Sequence, residues 1–100
     1  MKVRFEEEAA AELSAAVEWY DHEREGLGID LLLEVADALE AIGERPMAWP
    51  IVPDRAPVRR FVLGRFPYVV YFAVRADHVL VVAFGHTSRR PGYWQSRLRH

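Results

Sequence analysis

Hydrophobic residues change their period twice along this chain. Lys2-Val3-Arg4-Phe5 alternates polar and apolar, which predicts a short strand able to join a sheet edge. From Glu7 the spacing becomes helical. Ala9/Ala10, Leu13, Ala16/Val17 and Tyr20 recur every three or four residues and predict a helix near 7–24. Glu6, Glu7 and Glu8 at its start complement the positive end of the helix dipole. Gly26-Leu27-Gly28 ends it, because glycine accepts the left-handed conformation a helix C-terminus needs. A second stripe of Ile29, Leu32/Leu33, Ala36, Leu39 and Ile42 predicts a helix near 28–43, stopped by Pro46. So short a connection makes the two helices an antiparallel hairpin.

After the helices the pattern breaks. Pro46, Pro50, Pro53 and Pro57 fall in one short span, which cannot pair as a central strand and predicts an extended connection. Met47 and Trp49 are expected to pin it to the core. Three strand-like runs follow. Val58 to Leu63 carries arginine on both faces, and Gly64-Arg65-Phe66-Pro67 turns it. Tyr68 to Val74 and Val79 to Phe84 are almost unbroken apolar runs, as in strands covered on both faces, joined by Arg75-Ala76-Asp77-His78. The expected fold is α+β: an N-terminal strand and a two-helix hairpin packed on an antiparallel β-sheet. The order is β-αα-βββ, with sheet strands at 58–63, 68–75 and 78–85 in a single domain spanning 1–100. Val70, Phe72, Leu80 and Val82 are its expected core under the helices, with alternation leaving open that one of each neighbouring pair faces the other side, and half a turn of helix near Tyr93 to Leu98 ends the chain.

Charge adds an asymmetry that the net value of −2 conceals. Residues 1–50 carry four basic against thirteen acidic side chains, −9, and residues 51–100 carry nine arginines against two aspartates, +7. Arginine's planar fork suits bidentate contact with carboxylate or phosphate. Two readings stay open: the acidic helices and basic sheet attract each other, or the basic half receives an acidic partner. No apolar run is long enough to cross a bilayer, the N-terminus does not read as a signal peptide, and there is no cysteine. A soluble cytoplasmic protein is expected. The four histidines do not fall at zinc-ligand spacing, so neither a metal nor a cofactor is expected.

Candidate chemistry gathers where the last apolar run ends, in Gly85-His86-Thr87-Ser88-Arg89-Arg90-Pro91-Gly92-Tyr93-Trp94. His86, Arg89 and Tyr93 are expected to cluster there, with Pro91-Gly92 folding Tyr93 back. Arg59, Arg60, Arg65, Arg90 and Trp94 are the candidate binding residues. Strand alternation puts Arg60 on the face of Val58 and Val62, and Arg59 on that of Phe61 and Leu63. Plainer roles stand beside these: His86 capping a buried strand, Tyr93 and Trp94 plugging the core, Trp19 and Tyr20 packing along a helix edge. Arg89 is the cation expected to serve function, and Arg90 the one expected to face solvent.

The chain resembles the RelE/ParE superfamily of toxins from type II toxin–antitoxin systems. The resemblance runs nearly end to end. It rests on Ala16-Val17-Glu18-Trp19-Tyr20, Gly26-Leu27-Gly28, Val58-Arg59-Arg60, Arg65-Phe66-Pro67-Tyr68-Val69-Val70-Tyr71 and the segment from His86 to Trp94. It implies a growth-inhibiting toxin neutralised by a cognate antitoxin, within a toxin–antitoxin hetero-oligomer. It also implies one of two actions. RelE-like members cut mRNA on the ribosome, using an arginine on a central strand and another six residues before a late tyrosine. Here Tyr68 takes the first position and Thr87 the second, which leaves His86, Arg89 and Tyr93 for a metal-independent cleavage. ParE-like members poison DNA gyrase and need no nuclease centre. The missing arginines and overall acidity favour that branch, since ribosome binding rewards basicity. A decayed toxin that only binds its antitoxin is the third reading.

Overall fold

Helices form where the periodicity places them. The computed structural model describes residues 1–55 and 57–98; Arg99, one of the nine arginines, lies outside these with Ala56 and His100. Helix α1 spans Glu7–Glu23 and α2 spans Leu27–Glu44. At their junction Gly26 takes φ +90°, and Asp21 Oδ1 accepts hydrogen bonds from the amides of Gly26 (3.0 Å) and Gly28 (3.2 Å). A Cβ on Gly28 would stand 2.7 Å from the Val17 carbonyl oxygen, so glycine is what lets the two helices close.

Four strands make the sheet: β1 (Lys2–Phe5), β2 (Arg59–Val62), β3 (Tyr68–Val74) and β4 (His78–His86), in the order β1-β4-β3-β2. The meander β2-β3-β4 is antiparallel, as expected. Strand β1 joins the free edge of β4 in parallel, so the whole sheet is mixed rather than antiparallel. A tight turn forces antiparallel pairing; β1 is separated from β4 by the helical hairpin and the meander, and no turn fixes its direction.

Both faces of the sheet are covered. On one, Ala9 and Ala16 of α1 and Leu31, Val35 and Ile42 of α2 pack on Val70, Phe72, Val79, Val81 and Phe84. On the other, Val52, Val58, Val82 and Ala83 surround Trp94, with Tyr71 and Leu80 alongside. Two of the expected core residues therefore change sides: Leu80 and Val82 lie under the C-terminal segment, not under the helices. A β-bulge accompanies this. Tyr71 pairs with Ala83 and Phe72 with Val81, so Val82 is an extra residue that resets the alternation and returns Phe84 to the helices.

The buried line on α2 also differs from the expected stripe. It runs through Gly28, Leu31, Val35, Ala38 and Ile42, which turns Ile29, Leu32 and Leu33 outward. Leu31-Leu32-Leu33 fits either helical phase, and close approach at Gly28 selects the observed one. As a result α2 keeps a second, uncovered apolar face.

The proline-rich connection is held by one anchor rather than two. Trp49 is half-buried, its ring edge-on to Phe61 at 4.6 Å, whereas Met47 is exposed. Arg59 completes the attachment by donating from Nη1 to the carbonyls of Trp49 (2.7 Å) and Met47 (3.3 Å). Glu34 Oε2 on α2 accepts from the amides of Gly64 and Arg65, fixing the β2–β3 turn against the hairpin. No described helix is long and apolar enough to cross a membrane.

Candidate functional site

Strand β4 outruns its neighbour, and the site is built where it does. Strand β1 ends with Phe5 opposite Val81, and the Glu6 amide donates to the Val81 carbonyl. Beyond that point no described strand lines the outer edge of β4, and the bulge disturbs the ladder on its inner one. Two side chains take up the backbone groups. Glu12 of α1 accepts from the Phe84 amide (3.1 Å), and Arg97 Nη1 donates to the Val82 carbonyl (3.0 Å). They also pair with each other, Arg97 Nη1 to Glu12 Oε1 at 2.8 Å, and Arg97 Nε lies 3.4 Å from Glu8. The Tyr93 hydroxyl donates to the second Glu12 oxygen at 2.8 Å. Helix α1, the bulge and the C-terminal segment are thus joined at one carboxylate.

These contacts set the ionisation of the group. Burial works to raise the Glu12 pKa. Hydrogen bonds from Arg97, the Phe84 amide and Tyr93, with the Arg97 charge, outweigh it and bring the net value below the ordinary carboxylate range. A carboxyl with a depressed folded pKa contributes stability above its unfolded pKa, near 4.3, and loses it as pH falls through the folded value. Glu12→Gln is therefore expected to lower stability at neutral pH and flatten the acid limb of the stability profile below about pH 4.3. Urea titrations of both proteins at a series of pH values check this; parallel acid limbs would contradict the network.

Tyr93 is affected in the opposite direction. Burial, the hydrogen bond to Glu12 and the Glu12 charge together push its phenol far above its ordinary value, so it stays protonated at any physiological pH. Its ring lies against Gly85, where a Cβ would meet the hydroxyl at 2.5 Å. Arg89 covers the ring's outer side, its guanidinium carbon 3.9 Å from the centroid.

His86 ends β4 and faces a cleft of about 310 Å³ between α1 and the sheet. The cleft is lined by Trp19, Tyr68, Phe84, His86, Arg89 and Glu12, among others. Tyr68 stacks on Phe84 at 4.7 Å and meets the His86 ring edge-on at 5.3 Å. The Ser88 amide donates to His86 Nδ1 at 3.0 Å, and the Ser88 hydroxyl lies 2.8 Å from the same nitrogen. Since Nδ1 accepts from an amide, the neutral ring carries its proton on Nε2.

The expected cluster is therefore assembled in two pairs that share Arg89. Arg89 covers Tyr93, and Arg89 lines the cleft with His86. The Tyr93 hydroxyl is committed to Glu12.

Of the candidate binding residues, Arg60 and Arg90 are exposed. Arg65 is exposed beside Asp30 at 3.9 Å, over the ring of Phe66. Arg59 is occupied with the Trp49 loop. Trp94 is fully buried, a core residue and not a contact for a partner, because the second face of the sheet needs its bulk. Trp19, expected to pack along the helix, is instead 57% exposed at the mouth of the cleft. Sequence reasoning passed over Glu12 and Arg97. The signal was present: Glu12 stands three residues after Ala9 and four before Ala16, on the buried line of α1.

The sequence profile of the ParE toxin of type II toxin–antitoxin systems, parDE, matches residues 3–91. The chain belongs to the ParE toxin family. Among solved structures, one described as the chromosomal ParDE TA system from P. aeruginosa superposes with a TM-score of 0.74. It is 18% identical, over 86% of this chain and 95% of that one, which makes the likeness one of fold. No curated protein matches significantly. As a ParE-family toxin the chain is the toxic member of a type II toxin–antitoxin pair. The family match stops at residue 91, before Tyr93, Trp94 and Arg97. In this ParE-family toxin the anchor on Glu12 therefore joins a family position to a segment beyond the match.

Proposed function

We propose that this toxin acts in the cytoplasm by gripping a protein target, DNA gyrase being the target its family implies, and not by cutting mRNA. One observation carries the reading. The late tyrosine that would move a proton is otherwise engaged: the Tyr93 phenol is held by Glu12 with its pKa pushed up. Cleavage through a ribose 2′-hydroxyl needs a base and an acid free to exchange protons near the phosphate. A gripping surface needs exposed cations and aromatic faces, which Trp19, Arg89 and the His86 cleft supply.

The uncovered apolar face of α2 supports a seat for the antitoxin there. Ile29 and Leu33 are 61% and 62% exposed on its outer side, and Leu32 with Leu13 and Val17 lines a shallow apolar groove along the hairpin. An amphipathic segment of the antitoxin laid on this face would cover them, with Arg65 at the rim to meet a carboxylate. Such cover yields a toxin–antitoxin hetero-oligomer.

His86→Gln, Arg89→Ala and Tyr93→Phe test the mode of action once each is shown to fold and bind the antitoxin. A gripping surface predicts graded loss of toxicity, with Arg89→Ala the largest. A nuclease predicts a loss of at least about 100-fold in RNA cleavage on removing the acid–base group, and that result would overturn the proposal.

A further inference from the structure

On the sheet face turned away from the helices, the loop after Val52, the outward side of β2 and β3, and residues 87–92 enclose a cavity of about 470 Å³. Arg55, Arg60 and Arg89 all line it, Tyr71 and Thr87 also contribute, and Asp54 is the sole acid among the lining residues. Other arginines of the basic half are occupied within the fold. Arg59 holds the Trp49 loop, and Arg97 is paired with Glu12 and Glu8. Among the described residues none of the cavity's three arginines forms a salt bridge. Arg55 Nη1 donates only to the neighbouring Asp54 carbonyl, while its Nε is buried without any acceptor. That Nε is packed against Gly92, and no described acid compensates the guanidinium charge.

We propose that this cavity binds a phosphate group carried by a nucleotide, with Arg55, Arg60 and Arg89 dividing its charge. A carboxylate is matched by a single guanidinium fork; three arginines on one cavity suit the larger number of acceptor oxygens on phosphate. The volume lies within the range of small-molecule sites and exceeds what inorganic phosphate fills. The phosphate belongs either to a free mononucleotide or to the backbone of a single strand. The inference shares Arg89 with the proposed gripping surface, but Arg55 and Arg60 line this cavity and not the His86 cleft, so loss of nucleotide binding in Arg60→Ala is read separately from toxicity.

Titration calorimetry at low salt, with ATP in one arm and a ten-nucleotide single-stranded DNA in the other, tests it on the intact chain. Saturable binding is expected in at least one arm: ATP alone assigns a free nucleotide, the oligonucleotide alone assigns a strand, and both support the phosphate site. Arg60→Ala and Arg89→Ala should each weaken that binding about tenfold or more, the scale of one charge-assisted hydrogen bond. Arg75→Ala removes the same charge from the exposed β3–β4 turn and should leave the affinity within about twofold, as expected for a distant solvent-screened charge. Absence of saturable binding in both arms overturns the proposal. So does an Arg75→Ala loss equal to the other two, which would mark unspecific attraction.

Discussion

Trp94→Ala is expected to lower the unfolding free energy by about 3–5 kcal/mol, the usual cost of emptying a fully buried large aromatic site. Trp94 has no exposed surface and is the largest fully buried side chain of the described residues. It is the centre of the second core, flanked by Val52, Val58, Val82 and Ala83 and tilted against Tyr71 at 5.1 Å. The loss would take a large share of the 5–15 kcal/mol typical of a domain. At this chain length it corresponds to a fall in melting temperature of roughly 12–40 °C. Guanidinium titration with the m-value held equal reads it directly. A loss under about 1 kcal/mol would mean that Trp94 packs loosely, and the C-terminal segment would not be part of the fold.

A second large effect is expected on the opposite surface. Leu33→Asp should leave folding almost unchanged, because Leu33 is 62% exposed, yet weaken antitoxin binding by roughly 30-fold or more. That is the scale of an interface anchor, about 2 kcal/mol or above. Arg65→Glu, at the rim of the same face, should act differently, slowing association and losing its effect as salt rises. Surface plasmon resonance with the antitoxin encoded beside the toxin separates the two. If Leu33→Asp binds as tightly as the native chain, the outer face of α2 is not the antitoxin's seat.

Much of this architecture is legible in the sequence. Both helices, their turn at Gly26 and the three-stranded meander followed from period and punctuation, and the family resemblance is upheld by the match over residues 3–91. What escaped had physical causes. Where every residue from Val79 to Phe84 is apolar, alternation carries no information, so neither the bulge at Val82 nor the side taken by Leu80 was visible. Three consecutive leucines hid the phase of α2, although Gly28 records it through its contact with Val17. The direction of β1 leaves no trace in a four-residue strand. Within the site, Arg89 over Tyr93 was readable from local spacing. The Glu12–Arg97 pair was not, because it joins residues 85 apart in sequence.

What the toxin does to its target separates gripping from cleavage. Purified toxin should be added to DNA gyrase and relaxed plasmid, with and without antitoxin, while the integrity of a translated mRNA is followed in a parallel extract. Inhibited supercoiling that the antitoxin relieves is expected, with the mRNA intact. Cleaved mRNA beside unimpaired gyrase would contradict it.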